Sequence, residues 1–242
     1  MAESEMKNTE KSPRYSCIFF DLDHTLWDYE ENSRQTLAEL YEQYDLRAKG
    51  VDSAEEFAKQ FTVVNTKLWD LFDRAIITSE IIRQERFKQI LEHFSIRDEK
   101  LCADLSYDYL HECPKKGNLI PHALSVLEYL APKYRMSVIT NGFEEIQNLK
   151  LESSKLLPYF DHIITSQRAG SRKPSCEIFN FALQCHDIKC HEAVMIGDNL
   201  LTDIGGACNA YIDAVFFNRD RIKHDGHSAH EIYCLSELRN IL

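Results

Sequence analysis

The segment Ile18-Phe-Phe-Asp21-Leu-Asp23-His24-Thr25-Leu26 runs an apolar stretch straight into two carboxylates two residues apart. In extended chain such a pair emerges on one side. Carboxylates that close repel unless a cation sits between them or one keeps a proton. A hard divalent ion with oxygen ligands, most simply Mg²⁺, resolves the conflict. A solvated strand-to-loop turn would look the same, so the pair alone does not choose. Three further sites bear on it. Thr140-Asn141-Gly142 supplies a hydroxyl, an amide and a permissive backbone after an apolar run, a set able to aim donors at an oxyanion. Lys173 stands before Pro174, and Gly197-Asp198 is followed by Asp203. Asp198 reads as a metal ligand, and Asp203 as its partner in an outer shell or as an acid favouring a helix N-terminus. Singly, these are a commonplace turn, a surface lysine and a helix acid.

Their order along the chain says more. A carboxylate pair, a hydroxyl, a lysine and another carboxylate, each after an apolar run, equip a site for phosphoryl transfer through an aspartyl-phosphate. One carboxylate attacks phosphorus, a cation and the lysine offset charge, and hydroxyl and N–H groups hold the equatorial oxygens. The second carboxylic acid protonates the leaving alkoxide and later deprotonates water.

The elements needed to position these groups are visible in the pattern. Strands are expected at 15–20, 135–140, 162–166, 193–196 and 214–217, each rich in β-branched or aromatic residues. Helices are expected at 143–156, 176–185 and 201–210 between them, which implies a parallel sheet covered on both faces. The stretch from Tyr29 to Cys113 differs: it holds no proline and only Gly50 among glycines. Its apolar residues recur at helical spacing in four stripes: Leu37, Leu40 and Tyr41; Phe57, Phe61, Val64 and Leu68; Ile81, Ile82, Phe87, Ile90 and Leu91; Leu101, Leu105, Tyr109 and Leu110. The expected fold class is therefore α/β, a Rossmann-like parallel sheet core with an inserted all-helical domain. Residues 14–28 and 115–242 form the core and 29–114 the insert, with Pro114 and Pro121 near the boundary and 1–13 as a flexible tail.

At 242 residues, with 44% hydrophobic and 28% charged side chains, the chain has ordinary globular composition. Its net charge of −11 opposes binding of nucleic-acid polymers and anionic membranes, though not of one small phosphate ligand. No apolar run reaches the ~18 residues of a membrane span, and the first sixteen residues hold no signal-peptide core. The eight cysteines include no CxxC pair and read as reduced thiols, so a cytoplasmic location is expected. Cys185-His186 and Cys190-His191 do not match common zinc spacings. His224, His227 and His230 lie in a polar loop where solvation is the simpler expectation. The partner expected is a small phosphorylated metabolite, for a monomer or homodimer.

From about Tyr15 to Leu242 the chain resembles the haloacid dehalogenase-like hydrolase superfamily. Asp21-Leu-Asp23-His-Thr25-Leu is similar to its first motif, Thr140-Asn-Gly to the second, Lys173-Pro to the third, and Gly197-Asp198 with Asp203 to the fourth. The resemblance implies Asp21 as nucleophile, Asp23 as general acid/base, and Mg²⁺ held by Asp21, the Asp23 carbonyl and Asp198. Thr140, Asn141 and Gly142 would bind phosphate, Lys173 would orient phosphate and nucleophile, Asp203 would support them from outside, and the insert would be a cap. His24 stands where many members carry glycine. True dehalogenases lack the second aspartate, so Asp23 favours phosphate esters. Val64-Asn65-Thr-Lys-Leu68-Trp69, Ile77-Thr78, Arg86-Phe87 and Ile139-Thr-Asn-Gly-Phe143 resemble the pyrimidine 5′-nucleotidase branch, making Trp69 and Arg86 candidates for contact with a base. On physics alone Trp69 and Phe87 are insert core and Arg86 a surface or ion-paired residue. Sugar-phosphate or acyl-sugar-phosphate hydrolysis, phosphomutase activity and non-catalytic phosphate sensing are the rival readings.

Overall fold

The computed structural model describes residues 14–242; the tail expected at 1–13 lies outside the described residues. The chain begins with β1 (Cys17–Phe20), followed by the helices α1 (Tyr29–Gln43), α2 (Ala54–Asp73), α3 (Ser79–His93) and α4 (Glu99–Glu112). Next come α5 (Ala123–Leu130), β2 (Arg135–Thr140), α6 (Glu144–Ser153), β3 (His162–Thr165), α7 (Ser166–Ala169) and α8 (Cys176–His186). The chain then forms β4 (Ala193–Gly197), α9 (Gly206–Asn209), β5 (Asp213–Phe217) and β6 (His230–Ile232).

The sheet order is β3-β2-β1-β4-β5-β6, and all neighbouring strands are parallel. The side chains of β1 alternate as period two requires: Ile18 and Phe20 enter the hydrophobic cluster shared with the helical insert, Cys17 and Phe19 the cluster on the opposite face. That double burial explains why the strands read as unbroken apolar runs. β1 lies between β2 and β4, where the chain reverses its direction of travel across the sheet. A crevice therefore opens beyond the carboxyl end of β1, and the loops after β1, β2, β3 and β4 all reach it.

In α1–α4 the stripe residues Leu37, Leu40, Phe57, Phe61, Leu68, Ile82, Phe87, Ile90, Leu101, Leu105 and Tyr109 are buried in one core continuous with the sheet. Asp28, Ser53 and Asp98 cap α1, α2 and α4, each accepting a backbone N–H three residues on. Entry and exit of the insert are stitched together. The Trp27 indole donates to the Lys116 carbonyl at 3.0 Å, and Asn32 exchanges hydrogen bonds with the Asn118 backbone.

Three details differ from the pattern-based expectation. The first strand starts at Cys17, two residues later than expected, and the Tyr15 phenol donates to Asp213 at 2.8 Å. The helix expected at 201–210 is a wide π-type turn at Leu200–Gly205 followed by the short α9. Phe179 packs so close to Gly206 that a Cβ there would meet its ring at 2.6 Å. Finally, His230 opens β6, a strand too short and polar to show periodicity, so it does not share a loop with His224 and His227.

Candidate active site

Asp21 directly follows β1 and is buried. Lys173, in the loop after β3 and α7, is also buried, and its ammonium has three acceptors: Asp21 Oδ1 at 2.5 Å, Asp203 Oδ1 at 2.6 Å and the Ile139 carbonyl at 2.9 Å. Burial alone pulls the Lys173 ammonium down, but Asp203 and Asp21 hold it above the ordinary lysine range. Burial drives Asp21 well above the usual carboxylate range despite Lys173, with Asp203 and Asp198 adding to the rise. Asp198 follows β4 and is pushed up to about 6 by burial and by Asp203, while the Thr25 hydroxyl donates to it at 3.0 Å.

Oxygens of Asp21, Asp198 and Asp203 lie within 4.8 Å of one another, the only such converging group of metal-capable side chains among the described residues. Hard oxygen donors whose mutual repulsion one lysine relieves only in part fit a divalent cation. The three are not equivalent. Asp203 Oδ1 is taken by Lys173 and its Oδ2 accepts the Asn199 N–H at 3.0 Å, leaving Asp21 and Asp198 to offer oxygens. Gly197 permits this arrangement, since a Cβ there would sit 2.3 Å from Asp203 Oδ2.

The loop after β2 uses several of its polar groups within the protein. Thr140 Oγ1 accepts the Gly142 N–H at 3.0 Å, so that N–H is already used while the hydroxyl proton stays available. Asn141 spends its side chain on the lysine loop, donating to the Lys173 carbonyl at 3.0 Å and accepting its N–H at 2.9 Å. Its amide also donates to Asp73 of α2 at 2.9 Å. Asn141 therefore holds Lys173 in place and ties the insert to the core. His24 takes a left-handed backbone (φ 66°), a conformation that favours glycine, with its ring 4.9 Å from that of Tyr29.

A cavity of about 700 Å³ joins these groups to the insert, its wall including Asp21, Asp23, Thr140, Lys173 and Asp198 on one side and Asn65, Trp69 and Arg86 on the other. Arg86 is neither a surface nor an ion-paired residue. It is 2% exposed, donates from Nη1 to Asn65 Oδ1 at 3.2 Å, and has no acceptor for Nε or Nη2 among the described residues. The rings of Phe61, Phe87 and Tyr109 surround it, the last with its centroid 4.6 Å from the guanidinium carbon. Phe87 is core, but Trp69 is half-buried and lies against Phe143 of the core at 5.7 Å.

Sequence reasoning missed Lys150. From α6 its ammonium meets both oxygens of Asp23, at 2.6 and 2.8 Å. Only the fold shows that Gln147 and Lys150 share the buried face of α6 with Leu151; as a sequence, Lys150 is one charged residue in a helical stretch. The Cys/His segments form no cluster. His186 is buried against Ser137 at 2.7 Å, and all eight thiols are unpaired.

The comparisons with known proteins agree with this geometry. The family model for haloacid dehalogenase-like hydrolases matches residues 18–217, and the chain belongs to that family. It is 27% identical to the pyrimidine 5′-nucleotidase PynA of Streptococcus pneumoniae over 94% of this chain and 95% of that one. It is 29% identical to the pyrimidine 5′-nucleotidase YjjG of Escherichia coli, covering 85% and 87% of the two chains. The crystal structure of the HAD-hydrolase YfnB of Bacillus subtilis, bound to magnesium, superposes with a TM-score of 0.86 at 26% identity, covering 95% and 99%. The chain is a phosphatase of this family, a phosphoric monoester hydrolase. Among its described residues no helix is long and apolar enough to cross a membrane.

Proposed function

We propose that the protein is a Mg²⁺-dependent 5′-nucleotidase that hydrolyses pyrimidine nucleoside monophosphates through an aspartyl-phosphate on Asp21. The observation that carries this reading is the single cavity pairing a lysine-clamped aspartate with a ring of aromatic side chains and unmet hydrogen-bond donors. A Asp21 oxygen attacks phosphorus in line with the leaving 5′-oxygen, which takes a proton from Asp23. Asp23 then accepts a proton from the water that opens the acyl phosphate. Lys173 holds Asp21 and offsets the charge of the phosphoryl oxygens, and the Thr140 hydroxyl donates to one of them. Mg²⁺, held by Asp21, Asp198 and the Asp23 carbonyl, would neutralise charge shared by nucleophile and phosphate.

Helices α1–α4, residues 29–114, act as a cap that excludes water from this chemistry. Base recognition rests on Arg86 and Asn65. Arg86 Nε and Nη2 lack acceptors among the described residues while Asn65 Oδ1 already accepts from Arg86, so the unmet groups of the pair are mostly donors. Donors suit a ring edge carrying carbonyl oxygens, as in uracil and thymine, and the neighbouring aromatic rings suit its faces. Trp69, at the seam between cap and core, closes the side of the cavity.

The test is phosphate release in the presence of Mg²⁺ across dUMP, dTMP, UMP, purine nucleotides and sugar phosphates, with Asp21→Asn as control. Preference for the pyrimidine nucleotides, lost in the variant, is expected. Turnover confined to sugar phosphates would overturn the substrate, and turnover surviving in Asp21→Asn would overturn the mechanism.

A further inference from the structure

We infer that Lys150 is a positioning residue for the acid–base carboxylate Asp23. The inference rests on the aspartyl-phosphate reading above and adds to it a group from outside the four motifs. The Lys150 side chain is 7% exposed and that of Asp23 is 24% exposed toward the cavity. The ammonium lies 2.6 Å from one oxygen of Asp23 and 2.8 Å from the other. These are the side-chain hydrogen bonds that Asp23 makes among the described residues. The ammonium is itself fixed from behind, 4.5 Å from the centroid of the Trp27 ring.

An aspartate on a tight turn has two free torsions, and an acid must meet a leaving oxygen within hydrogen-bond reach to be effective. A two-point contact from a buried ammonium removes that freedom. It also favours the charge that the first step leaves on Asp23. As the bond from Asp21 oxygen to phosphorus forms and the bond from phosphorus to the leaving oxygen breaks, the proton of Asp23 passes to that oxygen. The carboxylate left behind faces a fixed positive charge. In the second step water attacks phosphorus, its proton returns to Asp23, and the Asp21 carboxylate is released. Lys150 borders the cavity, but its ammonium is committed to both oxygens of Asp23, so its proposed action runs through Asp23.

The test uses the leaving-group dependence of kcat/KM, which reports the first transfer. A nucleoside 5′-monophosphate needs its leaving oxygen protonated; p-nitrophenyl phosphate, which releases a stable phenolate, does not. Positioned general acids contribute about 10²–10⁴-fold, so Lys150→Met is expected to lower kcat/KM for the nucleotide by roughly 10–100-fold. The same variant should change kcat/KM for p-nitrophenyl phosphate less than about 5-fold, and Lys150→Arg should restore most of the loss. In an Asp23→Asn background the effect of Lys150→Met should disappear. Retained p-nitrophenyl phosphate turnover is the internal control for folding, and Lys150→Gln serves if the Met variant does not fold. Equal losses on both esters, or an undiminished effect in the Asp23→Asn background, would overturn the inference. Loss of turnover in Asp21→Asn checks the underlying mechanism independently of either ratio.

Discussion

The two halves of the cavity satisfy their charges in opposite ways. On the sheet side the groups are matched internally: Lys173 bridges Asp21 and Asp203, Thr25 supports Asp198, and Lys150 holds Asp23. On the helical side Arg86 is as deeply buried as Lys173, yet among the described residues it has one hydrogen-bond partner, an amide, and two nitrogens without any. A preorganised reaction centre needs no ligand to hold its shape. A buried guanidinium without an anion is costly and gains when a ligand supplies acceptors. Under the proposed function this contrast would separate chemistry from recognition within one cavity, and each half should then respond to substitution on its own.

The largest effect should come from the sheet side. Asp21→Asn is expected to lower kcat by on the order of 10⁴-fold or more on every ester, measured by phosphate release. Lys173→Met leaves Asp21 and Asp203 buried without their cation. Loss of one partner from such a group costs about 3–5 kcal/mol, to be read from urea unfolding alongside a near-complete loss of activity. On the helical side Arg86→Ala should lower kcat/KM for a pyrimidine nucleotide by about 10–100-fold, the worth of one or two charge-assisted hydrogen bonds. Its turnover of p-nitrophenyl phosphate should barely move. An equal loss on both substrates would erase the distinction between the halves.

How much of this was legible beforehand follows from how local each signal is. The ends of β1, β2 and β4 announced Asp21, Thr140 and Asp198 because an apolar run stops abruptly at a polar residue. The four helical stripes announced the insert for a similar reason, through spacing within each helix. Lys150 and Asp23 stand 127 residues apart, and no local pattern couples them. Arg86 looked like any charged residue on a helix, and only the packing of α2, α3 and α4 encloses it in aromatic rings. β6 carries just three residues, and its pairing with β5, not its composition, makes it a strand.

Two smaller effects involve protons. Burial raises Asp21 and, with Asp203 nearby, pushes Asp198 up to about 6. Protons therefore compete with a divalent cation on the sheet side, and Mg²⁺ affinity should fall as pH drops below about 6. Calorimetry in buffers of different ionisation enthalpy would detect proton release on binding. Burial, aided by Arg135 and His162, pulls His186 down to about 4. An unfolded histidine binds its proton near about 6.5, so between those values the unfolded chain carries the extra proton. Stability is lost as pH falls through that window, and the difference between wild type and His186→Gln in urea midpoint should shrink there.

The most direct test of the division of labour is kcat/KM for dUMP and for p-nitrophenyl phosphate, measured with Mg²⁺ in wild type and Arg86→Ala. The ratio of the two values should fall by about 10-fold or more in the variant, with p-nitrophenyl phosphate turnover preserved. An unchanged ratio would show that Arg86 does not read the ligand and that the helical half of the cavity does not choose the substrate.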